Sequence, residues 1–494
     1  MLDKIGFDKS KYISMQAERI RQRIDEFGGK LYLEFGGKLF DDYHATRVLP
    51  GFEPDIKLSM LKSMTDDVEI ILVISASDIE KNKVRGDLGI TYDEDLLRLM
   101  GIFVNMGFFV GGVVITRYTG QPNAQAFRKR LDGLGVKTYL HYPIEGYPND
   151  INTIVSEEGF GKNDYIETQR PLVVITAPGP GSGKMATCLS QLYHENRLGN
   201  KAGYAKFETF PIWNLPLDHP VNIAYEAATV DLNDVNAIDP FHLNAYGETT
   251  VNYNRDIEIF PVLRNILDRI LGECPYKSPT DMGVNMAGNA IVDDAIVQDA
   301  AKHEIVRRYF QAAVDLKRTG AGEECVQKLE MMMNRAGVNP NLSPAHSAAL
   351  LKEEVSGGPA GAMELPDGRI ITGKTSTLLG AASSVLLNAL KAVAGIDDEM
   401  YIISDAALEP ICHLRTEQLG HQNPHLHPME MLIALSTTSL TSPLAARAIE
   451  HAGDLRGCDA YFSVIISQED EQLYKTLGIN VCCEPKYEHK FPAM

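Results

Sequence analysis

Hydrophobic and polar residues alternate in two rhythms along the first half of the chain. Short apolar runs rich in β-branched residues predict strands at 31–34, 68–74, 113–116, 136–140, 172–176 and 202–207. Helical spacing of apolar residues separates several of these runs, as at 125–134 and after Lys184. This alternation predicts an α/β fold with a mostly parallel, Rossmann-like or P-loop-like sheet covered by helices on both faces.

The pattern changes in the second half of the chain. Helical periodicity dominates at 256–271, 290–316, 323–336 and 343–355. A Gly- and Pro-rich segment at 356–361 then reads as a linker, and strand-like runs return at 370–371, 401–404, 461–466 and 479–482. We therefore predict an N-terminal α/β domain at 1–255, a helical domain at 256–357 and a smaller C-terminal α/β domain at 358–494.

Two segments resemble a Walker phosphate-binding loop. Residues 368–375 match the G-x-x-x-x-G-K-[ST] pattern letter for letter, but residues 369–372 are strand-like where the phosphate would lie. Residues 177–185 fit the letters less well, yet they follow a predicted buried strand and precede a helix. A glycine-rich strand-to-helix loop lets backbone N–H groups and the helix dipole converge on an anion, so the segment at 177–185 is the predicted phosphate site.

Several residues are assigned roles in this predicted site. Lys184 is the expected phosphate clamp and a catalytic candidate, and Glu208, which follows the next strand, is expected to contact a metal or the substrate. Met185 stands where a Mg²⁺-binding hydroxyl is usual, so Ser182 or Thr187 would have to replace it. The complete set of predicted cofactor-binding residues is Gly179, Gly181, Ser182, Gly183, Lys184, Thr187, Lys38, Arg47 and Lys374.

A histidine-rich segment is the second candidate for chemistry. Residues 413–427 contain four of the thirteen histidines, and His425 and His427 point the same way if the chain is extended. His421, His425 and His427 are therefore candidate metal ligands, and His425 and His427 are also catalytic candidates. A metal-free role in anion or substrate binding and a purely structural role are the alternatives.

Composition and charge narrow the class of protein. The chain has 494 residues, 44% hydrophobic and 23% charged, which predicts a multidomain globular protein. Its net charge of −19 argues against nucleic acid or an anionic membrane as the partner. The seven cysteines form no C-x-x-C pair, and the first residues contain no apolar signal sequence, so a cytoplasmic protein is expected.

The combination of several motifs resembles a known family. These are the segments at 176–184, 239–242, 372–375 and 420–428, and together they are similar to a bacterial family of proteins of this length that is classed as a domain of unknown function. The resemblance covers essentially the whole chain and implies a multidomain, cytoplasmic α/β protein with a helical middle segment. It implies no activity and no catalytic residues. More loosely, the loop at 177–185 looks like those of P-loop kinases and ATP-dependent ligases.

Three functional hypotheses follow from the residues. The leading one is an enzyme of the phosphoryl-transfer or ATP-dependent ligase class that binds a phosphorylated small molecule, with ATP or another nucleotide and Mg²⁺ as cofactor, ahead of zinc. The second is a metal-dependent hydrolase centred on the histidine segment. The third is a non-catalytic binding protein. Homo-oligomers are expected in each case.

Overall fold

A computed structural model describes residues 5–36, 39–40, 42–85 and 88–488. The chain divides into two compact units. Among the described residues, the N-terminal unit comprises 6–226 and 233–297, and the C-terminal unit comprises 227–232 and 298–488 together with Ile5. The three domains predicted at 1–255, 256–357 and 358–494 divide the chain differently and stay a prediction.

A seven-stranded parallel sheet forms the centre of the N-terminal unit. The strands of this unit are β1 Leu31–Phe35, β2 Val68–Ser75, β3 Val84–Arg85, β4 Ile90–Thr91, β5 Phe109–Thr116, β6 Thr138–Leu140, β7 Leu172–Thr176, β8 Gly203–Phe207, β9 Asn236–Ile238, β10 Val251–Tyr253 and β11 Gly283–Val284. The order in the sheet is β11-β8-β1-β7-β2-β5-β6, while β3–β4 and β9–β10 form separate antiparallel pairs. The predicted mostly parallel α/β fold is thereby confirmed.

Helices connect these strands, and several begin at residues that favour a helix start. Pro122 and Pro240 each stand in a first helical turn, where the missing N–H of proline costs no hydrogen bond. The helices of this unit are α1 Lys9–Glu26, α2 Tyr43–Val48, α3 Ile56–Lys62, α4 Ala76–Glu80, α5 Tyr92–Asn105, α6 Pro122–Gly133, α7 Ile151–Ile154, α8 Lys184–Arg197, α9 Pro220–Ala228, α10 Pro240–Tyr246, α11 Asn254–Leu271 and α12 Pro279–Met282.

Each face of the sheet has its own hydrophobic core. Because side chains alternate along a strand, Leu31 and Leu33 of β1 lie in one core with α1, α3, α5 and α6. Tyr32 lies in the other core, with α8 and α11. Strands buried on both faces explain why their sequences read as continuous apolar runs.

The chain leaves the carboxyl ends of β2 and β7 towards opposite faces of the sheet. These two strands are neighbours in the sheet, but α4 and α5, which lie between β2 and β5 in the chain, pack on one face, and α8, which follows β7, packs on the other. Loops that leave in opposite directions separate at such a point, and ligands of open α/β sheets bind there. The loop at 177–183 therefore lies at the expected ligand position of the fold.

The C-terminal unit contains a mixed sheet of four strands in the order β13-β12-β14-β15. Strand β12 is antiparallel to β13 and β14, and β14 is parallel to β15. The strands are β12 Ala360–Glu364, β13 Ile370–Lys374, β14 Asp459–Phe462 and β15 Asn480–Cys483. The remaining helices are α13 Asp294–Thr319, α14 Glu323–Ala336, α15 Pro344–Ser356, α16 Ala381–Val393, α17 Asp405–His413, α18 Pro428–Ser439, α19 Pro443–Glu450 and α20 Gln468–Thr476.

Three local predictions differ from the structure. Residues 401–404 form no strand, although Ile402 and Ile403 are buried in the core of the C-terminal unit. The strand predicted at 461–466 ends at Phe462. Gly283–Val284, inside the predicted helical domain at 256–357, adds an edge strand to the parallel sheet. Among the described residues, no helix is long and apolar enough to cross a membrane.

Candidate functional site

The loop between β7 and α8 leaves backbone N–H groups free at a helix start. Gly183 precedes α8 with φ +97°, a left-handed conformation that favours glycine, and no side chain caps the helix. Within the described part of the chain, the N–H groups of Gly183, Lys184 and Met185 donate no hydrogen bond. Unpaired donors at the positive end of a 14-residue helix form the backbone part of an anion site.

Two neighbouring side chains hold the loop close to the sheet. The Thr116 hydroxyl, at the end of β5, donates to the Ser182 carbonyl at 2.6 Å. A Cβ added at Gly179 would lie 2.5 Å from the Tyr92 hydroxyl, so the backbone approaches that ring as only glycine allows. The loop is therefore fixed in shape before any ligand arrives.

Two buried hydroxyls beside the loop lack hydrogen-bond partners. Ser182 Oγ and Thr187 Oγ1 are both inaccessible to solvent and have no partner among the described residues. Buried polar atoms are almost always satisfied in native proteins. These two hydroxyls therefore keep unused hydrogen-bonding capacity in the loop and in the first turn of α8.

Lys184 is partly buried at the start of α8. Burial lowers the pKa of its ammonium group, and nearby Lys206 acts in the same direction, whereas the Glu34 carboxylate opposes both. Lys184 has no hydrogen-bond or ion-pair partner among the described residues. An unpaired, partly desolvated ammonium beside free backbone amides suits an anionic ligand.

Glu34 is a functional candidate that sequence reasoning did not identify. It lies near the end of β1, level with Ile175 of β7 and Lys206 of β8. The Tyr204 hydroxyl donates to Glu34 Oε2 at 2.7 Å. A charged residue inside an apolar strand was the available signal, but only the strand order shows that this strand adjoins the glycine loop.

A buried ionic group occupies the next position along the sheet edge. Lys206 of β8 lies 2.6 Å from Glu208 Oε1 and also pairs with Asp256 in the first turn of α11. Burial raises the pKa of the Glu208 carboxyl well above its ordinary value; Lys206 opposes this shift and Asp256 adds to it. Two carboxyl groups thus share one ammonium, which favours a proton on Glu208.

The remaining anion contacts predicted near β1, Arg47 and Lys38, stay predictions. Arg47 lies in the last turn of α2 and is partly buried. Lys38 lies outside the described residues. Asp42, close to both in sequence, pairs with the fully buried Lys57 at 2.7 Å. Burial would raise the pKa of the Asp42 carboxyl, but Lys57 brings it below its ordinary value.

The second Walker-like segment does not form a phosphate loop. Gly373 and Lys374 belong to β13, where they pair with Gly361 and Ala360 of β12 in an antiparallel hairpin. Lys374 is exposed at the end of this strand, and no glycine-rich turn precedes a helix there. The letter-for-letter match therefore lacks the geometry that the motif requires.

The histidine segment lies in the C-terminal unit. His421 is exposed, and His425 is partly buried, which lowers the pKa of its imidazole. His427 lies 2.8 Å from Asp470 through Nδ1, and this bond raises the pKa of the imidazole. No group of three or more His, Cys, Asp or Glu side chains among the described residues is arranged to hold a metal ion. The hydrolase hypothesis therefore gains no support from the described geometry.

The chain matches the two models of one protein family. Residues 5–337 match the model described as "Domain of unknown function DUF1846, N-terminal", and residues 341–491 match its C-terminal counterpart. The chain belongs to the DUF1846 family. It is similar to UPF0371 proteins of Streptococcus pneumoniae (strain P1031) and Streptococcus thermophilus (strain ATCC BAA-491 / LMD-9). Each is 54% identical over 488 residues, which cover 99% of both chains.

The family boundaries separate the two candidate sites of this DUF1846 protein. The glycine loop, Glu34 and the Lys206 ionic group all fall in the N-terminal family region at 5–337. The histidine segment falls in the C-terminal region at 341–491. Neither region carries a named activity, so function has to be argued from the geometry.

Proposed function

We propose that this DUF1846 protein binds a phosphorylated small molecule at the loop from Gly179 to Lys184. The observation that carries the proposal is the set of unpaired N–H groups of Gly183, Lys184 and Met185 at the start of α8. They lie where the helices leave β2 and β7 on opposite faces, which is where α/β folds bind ligands.

The charges around the loop support an anion rather than a neutral ligand. The protein carries a net charge of −19, so attraction for phosphate has to be local. Lys184 supplies a positive charge without a carboxylate partner in the described structure. A proton on Glu208 would remove one negative charge from the same edge of the sheet and lessen repulsion of the ligand.

Within this proposal the reaction class is phosphoryl transfer or ATP-dependent ligation. Such reactions depend on positioning and on stabilising charge at the phosphate oxygens, which free amides and a lysine can supply. A nucleotide with Mg²⁺ would be the cofactor. Ser182 and Thr187 are the hydroxyls available to a metal ion in place of the Met185 side chain.

The experiment is a binding comparison by calorimetry and thermal unfolding. Inorganic phosphate, ADP with Mg²⁺ and ATP with Mg²⁺ are each tested on the wild-type protein, on Lys184→Met and on Lys201→Met. Lys201 is the matched control because it is an exposed lysine that follows the other end of α8. Ligand at a hundred times its dissociation constant should stabilise the wild type by about 2.7 kcal/mol.

The expected result is that Lys184→Met weakens phosphate and nucleotide binding about tenfold or more, while Lys201→Met leaves it unchanged. Tighter binding of ATP with Mg²⁺ than of phosphate would favour the transferase or ligase class. If no phosphate compound binds, or if Lys184→Met binds as tightly as the wild type, the proposal is wrong.

A further inference from the structure

Two tyrosine–glutamate pairs lie on the same face of the parallel sheet. In only one of them does the carboxylate accept hydrogen bonds at both oxygens. Tyr32 and Tyr204 are register partners on β1 and β8, and each donates its hydroxyl to a buried glutamate. Tyr32 bonds Glu195 of α8 at 2.6 Å, and Tyr204 bonds Glu34 at 2.7 Å. The two pairs thus share a donor type, a sheet face and nearly complete burial.

The Glu195 carboxylate is satisfied at both oxygens. Its Oε1 accepts from Tyr32 and from the Lys30 ammonium at 2.9 Å, and its Oε2 accepts from Asn200 at 2.7 Å. This is how a purely structural buried carboxylate is held, because an unpaired buried charge costs several kcal/mol of free energy.

The Glu34 carboxylate keeps one oxygen without a partner. Its Oε2 accepts from Tyr204, and no described residue donates to Oε1. The residue is only 8% exposed, but Oε1 is not closed off from solvent. Glu34 and Lys184 influence each other electrostatically, yet they form no ion pair within 4.0 Å. A free acceptor oxygen and a cation therefore interact electrostatically without pairing directly.

The strand geometry limits how far Glu34 lies from the phosphate loop. Glu34 is level with Ile175, one residue before the end of β7, and neighbouring strands are about 4.8 Å apart. Glu34 also lies on the sheet face that α8 covers, and its charge acts on Lys184 at the start of α8. We therefore expect a group that reaches Glu34 from a phosphate on the loop to lie within a few bonds of that phosphate.

We propose that the ligand carries a hydroxyl or ammonium donor a few bonds from its phosphate group, and that the free oxygen of Glu34 accepts a hydrogen bond from this donor. The inference rests on the phosphate site proposed above and adds the class of substrate to it. Glu34 selects phosphate monoesters of amino alcohols or polyols over simple alkyl phosphates. An ammonium donor binds more tightly than a hydroxyl because the carboxylate is charged.

The test compares three small ligands that differ at one atom: ethyl phosphate, 2-hydroxyethyl phosphate and 2-aminoethyl phosphate. Dissociation constants are measured by calorimetry for the wild type, Glu34→Gln and Glu195→Gln. Glu195→Gln is the matched control, since it changes the satisfied carboxylate on the same sheet face. Thermal unfolding of each variant without ligand verifies that it folds. The comparison of the three ligands on the wild type tests the inference even if a variant fails to fold.

We expect the wild type to bind 2-aminoethyl phosphate about tenfold or more tightly than ethyl phosphate. Glu34→Gln should lose this preference while still binding ethyl phosphate, and Glu195→Gln should keep it. Equal wild-type affinities for the three esters would overturn the inference but leave the phosphate site standing. A preference retained in Glu34→Gln would also overturn it. Failure of every phosphate ester to bind would remove the phosphate site itself.

Discussion

Replacing Gly183 with alanine tests whether the shape of the phosphate loop is fixed by this residue. Gly183 has φ +97°, and a side chain in the left-handed region costs roughly 1–2 kcal/mol. An added Cβ would also lie 3.1 Å from Thr116 Cγ2 and 3.2 Å from its Oγ1. Thr116 cannot retreat freely, since its hydroxyl holds the Ser182 carbonyl. We therefore expect Gly183→Ala to lower the free energy of unfolding by about 2 kcal/mol.

Gly181→Ala is the matched control in the same loop. Gly181 also has a positive φ, +72°, but a Cβ there would meet no atom within 4 Å. Only the backbone cost remains, so about 1 kcal/mol is expected. Urea unfolding can be followed through Trp213, the one tryptophan of the chain, which lies in the N-terminal unit. Equal losses in the two variants would refute the role given to Thr116, and no loss at Gly183 would refute the strained conformation.

Two further predictions concern the same unit. Burial lowers the pKa of His141 to about 4, so the folded state holds this ring neutral. The contribution of the neutral ring to the free energy of unfolding is complete above pH 6.5. It is lost as the pH falls towards 4, by up to about 3 kcal/mol. His141→Gln should reduce the dependence of the free energy of urea unfolding on pH between pH 6.5 and 4. An unchanged dependence on pH would contradict a neutral, buried His141 ring. Lys57→Met should lower the free energy of unfolding by about 3–5 kcal/mol, because it removes the cation that pairs with the Asp42 carboxylate. Adding Asp42→Asn should recover much of this loss. If the losses of the two single variants simply add in the double variant, the ion pair does not stabilise the fold.

The elements that carry the glycine loop could be predicted from the sequence because they are local. The strand predicted at 172–176 is β7 as observed, and helical spacing after Lys184 marks α8. Five consecutive apolar or β-branched residues followed by glycines and prolines leave few alternatives for the backbone. The position of this loop at the carboxyl end of a strand followed from the same reasoning, since parallel strands present their carboxyl ends at one edge.

The side chains around the loop could not be predicted in the same way. Glu34, Lys206 and Asp256 are far apart along the chain and meet only because β1 and β8 are adjacent and α11 begins beside them. Hydrophobic periodicity specifies that a strand is buried, but not which strand lies beside it. The segment at 401–404 shows that an apolar run also does not prove a strand, since its buried isoleucines pack in a core without joining a sheet.

The two Walker-like segments show that such a motif depends on which amides remain free rather than on its letters. In the segment at 368–375, Gly373 and Lys374 lie in the antiparallel pairing of β13 with β12. The N–H of Thr375 donates to the Pro359 carbonyl at 2.9 Å. An anion at that segment would have to compete with backbone hydrogen bonds. At Gly183 and Lys184 the fold has left the donors without protein partners, so an anion would add bonds without breaking any hydrogen bond within the protein. This difference in free energy, and not the sequence match, is why the poorer match is the better candidate site.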